Sequence, residues 1–189
     1  MKEGGDGMIE TERLVLREWT ADDLSNLKRF LQDAEVMWAY EHAFSDEEVS
    51  NWLQWNLDSY HANGYGLWAI VHKATSEIIG ECGITQQTVE GTDYPEIGYH
   101  LVKTHWHQGF ASEAAQAVKD WGFKEKQFPE LVSIVRDTNL ASMNVAIRNG
   151  MIVKKRFVKQ YRGIEMPHYL FSIKNAIFTL PSEQSDEKK

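Results

Sequence analysis

The alternation of hydrophobic and polar residues predicts one strand and two helices in the first third of the chain. Residues 12–19 alternate leucine with valine and arginine, which is the two-residue period of a half-buried strand. Thr20 with Asp23 forms an N-terminal cap, so a helix is expected through about Ala34. Residues 45–48 form a stronger capping box ahead of tryptophan and leucine residues at helical spacing, and they predict a second helix.

The rest of the chain alternates strands with two further helices. The predicted elements are strands at 65–73, 77–89 and 95–102, a helix at 109–126, a strand at 131–137, a short helix at 140–148 and two closing strands that flank residues 161–166. The order is therefore β-α-α-β-β-β-α-β-α-β-β, which predicts a mixed α/β fold.

Length and composition favour one domain. A chain of 189 residues with 42% hydrophobic content can bury a sizeable core, and no repeat or internal linker interrupts it. The polar segments at 1–8 and 176–189 are expected to be frayed ends. We therefore expect a single domain over residues 9–175.

Charge and cysteine content exclude several classes of partner. Twenty basic and 28 acidic side chains give a net charge of −8. This field disfavours nucleic acid and favours the approach of a cationic molecule such as an amine. A single cysteine, Cys82, allows neither an internal disulfide nor a thiolate zinc cluster, and the histidines lack metal-ligand spacing, so no metal is expected. Cys82 is expected to be a buried strand residue.

No segment has the character of a membrane span or signal peptide. No apolar run approaches the roughly 20 residues that a transmembrane helix needs, and the first eight residues lack an apolar core. We expect a cytoplasmic protein without membrane contact. The sequence leaves open whether it is a monomer or a homodimer.

Residues 105–112 form a turn of small residues between a predicted strand and a predicted helix. The backbone N–H groups at the start of a helix have no partner within it and can bind an anion such as phosphate. Gly109, Ala111 and Ser112 leave room for close approach. A glycine before a helix can equally be only a tight turn. The segment contains neither a Walker motif nor the GxGxxG fingerprint of dinucleotide-binding proteins.

Four segments resemble one family in the right order. "WHQGFASEA" is similar to the W-x-x-G-[YF]-[AG]-[ST]-E-A form of the coenzyme A pyrophosphate loop in GCN5-related N-acetyltransferases, in the branch of the ribosomal-protein alanine N-acetyltransferases. "TERLVLREW", "EIGYHL" and "NLASMNVAIRNGM" resemble that branch's opening strand, fourth strand and N-x-x-S-x-x-V-x-x-x-x-G-[FM] segment. The resemblance covers roughly residues 9–174 and implies the acyl-CoA N-acyltransferase fold with a splayed central sheet.

The resemblance implies acetyl-CoA as co-substrate. The backbone of 108–112 would bind the pyrophosphate, and the pantetheine arm would pair with the edge of the fourth strand near Leu101 and Val102. Asn139 would bond the arm's amides. The residues so assigned to coenzyme A are Leu101, Val102, His107, Gln108, Gly109, Phe110, Ala111, Ser112, Asn139 and Ser142.

A base is needed because an alkylammonium with a pKa of about 10.4 must lose a proton before it can attack. Glu96 is the first candidate. Period-2 alternation sets Glu96, Gly98 and His100 on one face of the fourth strand, so His100 is the second, acting through water. The alternative interpretations are a solvated carboxylate at the strand start and a packed imidazole ring.

The acid that protonates the leaving thiolate is less clear from the sequence. Many members of the wider family use a tyrosine where this chain has Ala146. Ser142, one helical turn after Asn139, resembles the serine that takes this role in the ribosomal-protein branch. Ser142 could instead be an ordinary hydrogen-bonding residue.

The acceptor pocket is expected where the two early helices meet the sheet. The segment 35–44 is rich in large side chains, and Trp38, Tyr40 and His42 are predicted to line the pocket. A hairpin at 161–169, which carries His168, is predicted to form the opposite wall.

Together these features predict transfer of an acetyl group from acetyl-CoA to a primary amine. The acceptor is left open between a protein N-terminus and a small molecule such as a polyamine, an antibiotic-like amine or an amino acid. A different class of function is a non-catalytic acyl-CoA-binding sensor, which the missing tyrosine at Ala146 favours and the presence of Glu96, His100 and Ser142 opposes.

Overall fold

The structure, a computed structural model, describes residues 9–178. Its elements are β1 (Ile9–Glu10), β2 (Leu14–Arg17), α1 (Leu24–Leu31), α2 (Asp46–Asn63), β3 (Leu67–His72), β4 (Glu77–Val89), β5 (Thr92–Leu101), α3 (Phe110–Lys124), β6 (Glu130–Arg136), α4 (Leu140–Arg148), β7 (Ile152–Tyr161) and β8 (Ile164–Lys174). Residues 176–178 form a short 3-10 turn, while the rest of the predicted frayed ends, at 1–8 and 179–189, lies outside the described residues. No helix in the described range is long and apolar enough to cross a membrane.

All eight strands belong to one sheet, in the order β1-β2-β3-β4-β5-β6-β8-β7. Neighbouring strands are antiparallel except for β5 and β6, which are parallel. The predicted order of elements is confirmed, with β1 as the one addition. Two residues are too few to show a hydrophobic period, so this strand had no sequence signal.

The first helix is shorter than predicted. Asp23 accepts hydrogen bonds from the backbone N–H and hydroxyl of Thr20 (2.9 and 2.8 Å), as expected for the cap. α1 ends at Leu31 and not near Ala34. The side chain of Asp33 accepts a hydrogen bond from the backbone N–H of Glu35 (2.8 Å), and this local bond turns the chain out of the helix.

The fourth strand of the predicted pattern, β5, begins earlier than expected. It starts at Thr92, three residues ahead of Pro95. Pro95 lies two residues before Ile97, whose carbonyl faces β6, so the backbone groups of both residues point to the same edge of the strand. The missing N–H of Pro95 therefore costs no bond to β4. Glu96 consequently lies within the strand and not at its solvated start.

The two faces of the sheet carry different helices. Trp68 of β3 meets Trp121 of α3 edge-on, with ring centroids 4.8 Å apart, and Cys82 pairs with Trp68 and is fully buried, as predicted. Burying one large hydrophobic side chain stabilises a fold by about 1.5–3 kcal/mol. Glu81, next to Cys82 in β4, faces the other side and accepts a hydrogen bond from Trp52 of α2 (3.0 Å). α2 and α3 thus cover opposite faces.

A gap opens in the sheet between β5 and β6. The two strands pair only at Glu96 and Val132, while β6 continues in register with β8 up to Arg136. Beyond Glu96 the facing edge of β5 therefore has no neighbouring strand among the described residues. This splay is the feature that positions the candidate site.

Candidate active site

A cavity of about 1130 Å³ occupies the splay and reaches both faces of the sheet. It extends from the start of α3 to a group of aromatic rings beside α2. The predicted site residues that border it are Trp38, Tyr40, Glu96, His100, Leu101, His107, Gly109, Phe110, Ala111, Ser112, Asn139, Ser142 and His168. Three others, Val102, Gln108 and His42, lie outside its lining.

The turn before α3 exposes backbone N–H groups to this cavity. His107 and Gly109 both have positive φ angles (61° and 82°), and Gly109 is the residue that precedes the first helical turn. Among residues 9–178, no side chain caps this helix start. A Cβ added at Gly109 would approach only Arg13 within 4 Å, at 3.5 Å. The N–H groups of 110–112 are therefore available to an anion.

Arg13 of the opening strand region braces this turn, and the sequence pattern did not reveal it. Its Nη1 donates to the carbonyl oxygen of Gln108 (3.0 Å), and its Cζ lies 4.3 Å from the ring centroid of Phe110. Its Nε donates to Glu113 Oε2 (2.6 Å). Burial alone would raise the pKa of Glu113, but the bonds from Thr11 and Arg13 outweigh it and hold that pKa below its usual range. Arg13 thus places a cation beside the anion site.

Beyond Glu96, the edge of β5 that faces the gap pairs with no strand in the described part of the chain. The carbonyls of Ile97 and Leu101 face the gap, where Ser133 Oγ and Trp106 Nε1 donate to them (3.0 Å each). Alternation then places the N–H and C=O of Tyr99 at the same edge. Val102 is turned away, because its N–H donates to the carbonyl of Ile79 (2.9 Å).

Glu96 lies where the splay begins. Its Oε1 accepts a hydrogen bond from the backbone N–H of Ile134 (3.0 Å), and part of the residue stays open to the cavity. Desolvation by burial raises the pKa of Glu96 to about 7, against the opposing effects of the Ile134 bond and of Lys159 and His100. A carboxyl group with such a pKa can accept and release a proton near neutrality.

His100 borders the same cavity on the side of α2. Its Nδ1 lies 2.9 Å from Oε1 of Glu81, a fully buried carboxylate that sequence analysis did not single out. The ring also contacts Phe30, Tyr40 and Trp52, with centroid distances of 6.2, 5.6 and 6.0 Å.

Ser142 and Asn139 lie at the start of α4 on the opposite side of the gap. Asn139 caps the helix, since its Oδ1 accepts a hydrogen bond from the N–H of Ser142 (3.1 Å). Ser142 Oγ is 2.9 Å from the hydroxyl of Tyr99, and burial raises the pKa of that tyrosine. Ala146, where the family tyrosine would be, is buried. Tyr99 therefore brings a phenol to this side from a neighbouring strand.

Aromatic rings wall the end of the cavity that lies beside α2. Phe44 meets Tyr40 and Trp52 edge-on at 6.0 and 5.7 Å. Trp38 and Trp55 are each 41% exposed at the rim. The sequence predicted that the tryptophans of α2 belong to a helix but not that they border the cavity, because their spacing does not indicate which face of the helix meets the sheet.

The β7–β8 hairpin closes this end, as the predicted opposite wall. Tyr161 lines the cavity and stacks on His42 at 6.4 Å. Arg162 pairs with Glu48 of α2 (2.6 Å). His42 itself is engaged by the carbonyl of Tyr40 and by Glu48 (3.0 Å each), so it supports the wall from behind.

His168 lies deeper in the hairpin wall. Its Nδ1 is 2.8 Å from the carbonyl of Met166, and its ring stacks on Phe157 at 5.8 Å. Desolvation lowers the pKa of His168, so burial favours the neutral form of the ring.

The sequence matches the family model for the acetyltransferase (GNAT) domain over residues 13–152. The chain therefore belongs to the GNAT family of acetyltransferases. It is 35% identical over 157 residues to the uncharacterized protein YkkB of Bacillus subtilis, covering 82% of this chain and 91% of that one. It is 30% identical over 170 residues to the uncharacterized N-acetyltransferase p20 of Bacillus licheniformis, covering 87% and 94% of the two chains.

Solved structures show the same fold. A GNAT-family acetyltransferase from Bacillus anthracis superposes with a TM-score of 0.76 at 24% identity, covering 89% of this chain and 98% of that one. A ribosomal L7/L12 alpha-N-protein acetyltransferase, solved in complex with coenzyme A, superposes with a TM-score of 0.71 at 19% identity, covering 88% and 97%. The fold and the family define this protein as an acetyl-CoA-dependent acetyltransferase.

Proposed function

We propose that this protein transfers the acetyl group of acetyl-CoA directly to a primary amine through the cavity at the splay. The observation that carries the proposal is the continuity of that cavity, which joins an uncapped helix start to Glu96 and an aromatic pocket. Acetyl-CoA would supply the activated acetyl group and leave as the free thiol. Such catalysis depends mainly on orientation and on stabilising charge in the transition state.

The residues at one end of the cavity fit a pyrophosphate with an attached chain of amides. The N–H groups of 110–112 and the guanidinium of Arg13 would bind the phosphates. The open backbone groups of Tyr99 would pair with the pantetheine arm. Since Asn139 Oδ1 caps α4, only its Nδ2 remains to donate to an amide of the arm. An N–H group at the strand ends of the splay would stabilise the charge that develops on the thioester oxygen.

Glu96 is the proposed general base, with His100 as the second candidate acting through water. The carboxyl group of Glu96 lies at the start of the gap, and its raised pKa of about 7 matches the task of accepting a proton near neutral pH. The Ile134 N–H and the hydroxyl of Thr85 hold the carboxyl group in place beside the cavity.

Ser142 is the proposed donor to the leaving thiolate. The Tyr99 hydroxyl donates to the carbonyl oxygen of Ser142, so Ser142 Oγ donates to the phenol oxygen at rest (2.9 Å each) and would exchange that bond for one to the thiolate. The pair thus does the work that a tyrosine at Ala146 would do in the wider family. A thiolate leaves adequately without much assistance, so this group is expected to matter less than the base.

The acceptor is proposed to enter beside α2, between Trp38, Tyr40 and the hairpin residue Tyr161. Both a protein N-terminus and a small-molecule amine fit this proposal. The non-catalytic sensor gains no support from the comparisons, since the relative p20 is named an N-acetyltransferase. A single domain over 9–175, a cytoplasmic location and a monomeric or dimeric state stay predictions from the sequence.

Acetyl-CoA should raise the melting temperature of the protein, while NAD and ATP should do much less. A ligand at about 100 times its dissociation constant stabilises the native state by roughly 2.7 kcal/mol. Differential scanning fluorimetry measures this directly. The absence of a shift at millimolar acetyl-CoA would remove the cofactor from the proposal.

Acetyl transfer itself is tested by thiol release with a panel of amines. The panel contains a tetrapeptide with a free N-terminus, a polyamine, an aromatic alkylamine and an amino acid. Amine-dependent thiol release with any of them supports the proposal, and the ranking of kcat/KM separates a protein acceptor from a small molecule. Release that no amine accelerates would contradict it.

Arg13→Gln should raise the acetyl-CoA KM about tenfold with little change in kcat, because a hydrogen bond to a charged group is worth about 1.5–3 kcal/mol. Arg29→Gln is the matched control. Arg29 is equally exposed (40%) and also binds a glutamate and a backbone carbonyl, of Glu77 and Ile78, whereas the carbonyl that Arg13 binds belongs to Gln108 in the turn before α3. Equal KM values for the two variants would show that Arg13 plays no part in coenzyme binding.

A further inference from the structure

Glu81 is a carboxylate in the middle of the core. It lies on β4 directly opposite His100 of β5, and its exposed fraction is 0%. A buried carboxylate is costly unless donors surround it. Trp19 Nε1 donates to its Oε2 (3.2 Å), and Trp52 Nε1 lies 3.0 and 3.3 Å from its two oxygens. His100 Nδ1 is the third nitrogen, 2.9 Å from Oε1.

The two indole groups determine which atom is the donor in the contact between Glu81 and His100. An indole nitrogen can only donate, so both oxygens of Glu81 act as acceptors toward Trp19 and Trp52. An ionised carboxylate with three converging N–H groups satisfies every partner. In the neutral ring the proton that bonds Glu81 then lies on Nδ1, and Nε2 carries the lone pair.

The ring is also fixed in direction. Phe30 stacks on His100, and Tyr40 and Trp52 contact it from other sides. The His100 side chain is 12% exposed and borders the cavity. Within residues 9–178 only Nδ1 of this ring has a hydrogen-bonding partner, so Nε2 is left to the cavity.

We propose that Glu81 is a positioning residue that holds His100 in the Nδ1–H tautomer, so that Nε2 accepts a hydrogen bond from the substrate amine. The proposal rests on the acetyltransferase function above and deepens it on the acceptor side. An amine or ammonium group is rich in donors and needs an acceptor in the pocket. The opposite tautomer would present an N–H and would repel it.

Glu81→Gln should invert this polarity. Among the described residues, both indoles keep an acceptor only if the glutamine oxygen stays at Oε2, 3.2 Å from Trp19 Nε1 and 3.3 Å from Trp52 Nε1, so the amide NH2 takes the place of Oε1. That group donates to Nδ1 and forces the proton of His100 onto Nε2. The amine KM should rise about tenfold or more, while the acetyl-CoA KM stays unchanged.

The test combines NMR and kinetics on the full chain. The NMR spectrum of protein labelled with nitrogen-15 in histidine is recorded at a pH about two units above the ordinary histidine pKa of about 6.5. The His100→Gln variant identifies which signal belongs to His100. The parent should show the Nδ1–H tautomer, and Glu81→Gln the Nε2–H tautomer. Glu77→Gln, on the same strand but paired with Arg29, should behave as the parent does.

The outcomes separate this inference from the proposed function. An Nε2–H tautomer in the parent overturns the inference even if Glu81→Gln fails to fold. An unchanged tautomer and an unchanged amine KM in Glu81→Gln overturn it as well. A parent with the Nδ1–H tautomer but no acetyl transfer to any amine would remove the acetyltransferase proposal, and with it the amine as the partner of Nε2, while the positioning by Glu81 would stand.

Discussion

Gly109→Glu should strongly weaken acetyl-CoA binding while the far-UV spectrum stays close to that of the parent. The new carboxylate would stand at the uncapped start of α3, where the phosphates must approach, and the residue would have to hold a φ of 82°. We expect the acetyl-CoA KM to rise by at least about 100-fold, since like charge and lost charge-assisted bonds act together. Isothermal titration and steady-state kinetics measure both effects.

Gly91→Glu is the matched control for this variant. Gly91 has a similar φ of 79°, and a Cβ added there meets nothing within 4 Å, but it lies in the β4–β5 turn and not at the cavity. It therefore carries the same backbone strain and the same added charge. If both variants bind acetyl-CoA equally well, the turn before α3 is not the phosphate site.

Glu96→Gln should lower turnover by about 100-fold without changing the affinity for acetyl-CoA. Glutamine keeps the bond from the Ile134 N–H but cannot accept the proton of the amine, and general-base catalysis is typically worth 10²–10⁴-fold. The loss should shrink at higher pH, where more of the amine is already deprotonated. Glu130→Gln, a partly buried carboxylate paired with Lys154 away from the cavity, should retain turnover.

The parent should show the matching pH dependence. Glu96 must be ionised to act, and its pKa is about 7, so turnover should fall as the pH drops below about 7.

The raised pKa of Glu96 also makes the stability of the folded protein depend on pH. A carboxyl whose pKa is raised in the folded state favours folding while it is protonated and loses that contribution as the pH rises through about 7. Glu96→Gln should therefore gain melting temperature relative to the parent above pH 7.

A pH-independent loss of turnover, or a parent whose turnover does not depend on pH near 7, would contradict the role of Glu96. His100→Gln separates the second candidate, because it should show the same pattern more weakly if it acts through water. Full activity in Glu96→Gln together with loss in His100→Gln would reverse the two roles.

Local signals predicted the fold well because they depend on short-range periodicity. The capping box at Ser45 and the small residues from Gly109 to Ser112 are signals that span only a few neighbouring residues. The helices that they mark, α2 and α3, begin where expected. The end of α1 was misplaced because a single side-chain bond at Asp33 stops the helix without breaking its hydrophobic pattern.

Contacts across long sequence separations could not be predicted in this way. Arg13 meets Gln108 from 95 residues away, and Tyr99 meets Ser142 from 43. Neither contact leaves a trace in local spacing. Glu81 did leave one, since it is a charged residue inside the apolar strand "EIIGECGITQQTV", and a buried charge needs a partner. Alternation alone would also have placed Tyr99 on the face opposite Glu96 and His100.

The most direct test of direct acetyl transfer follows an isotope-labelled acetyl group by mass spectrometry. Acetyl-CoA with a labelled acetyl group is mixed with the protein and the best amine of the panel, and labelled amide and free thiol are counted together. We predict one labelled amide for each thiol released, no label on the protein, and loss of both products in Gly109→Glu. Thiol released without labelled amide, or label retained on the protein, would contradict a direct transfer at this site.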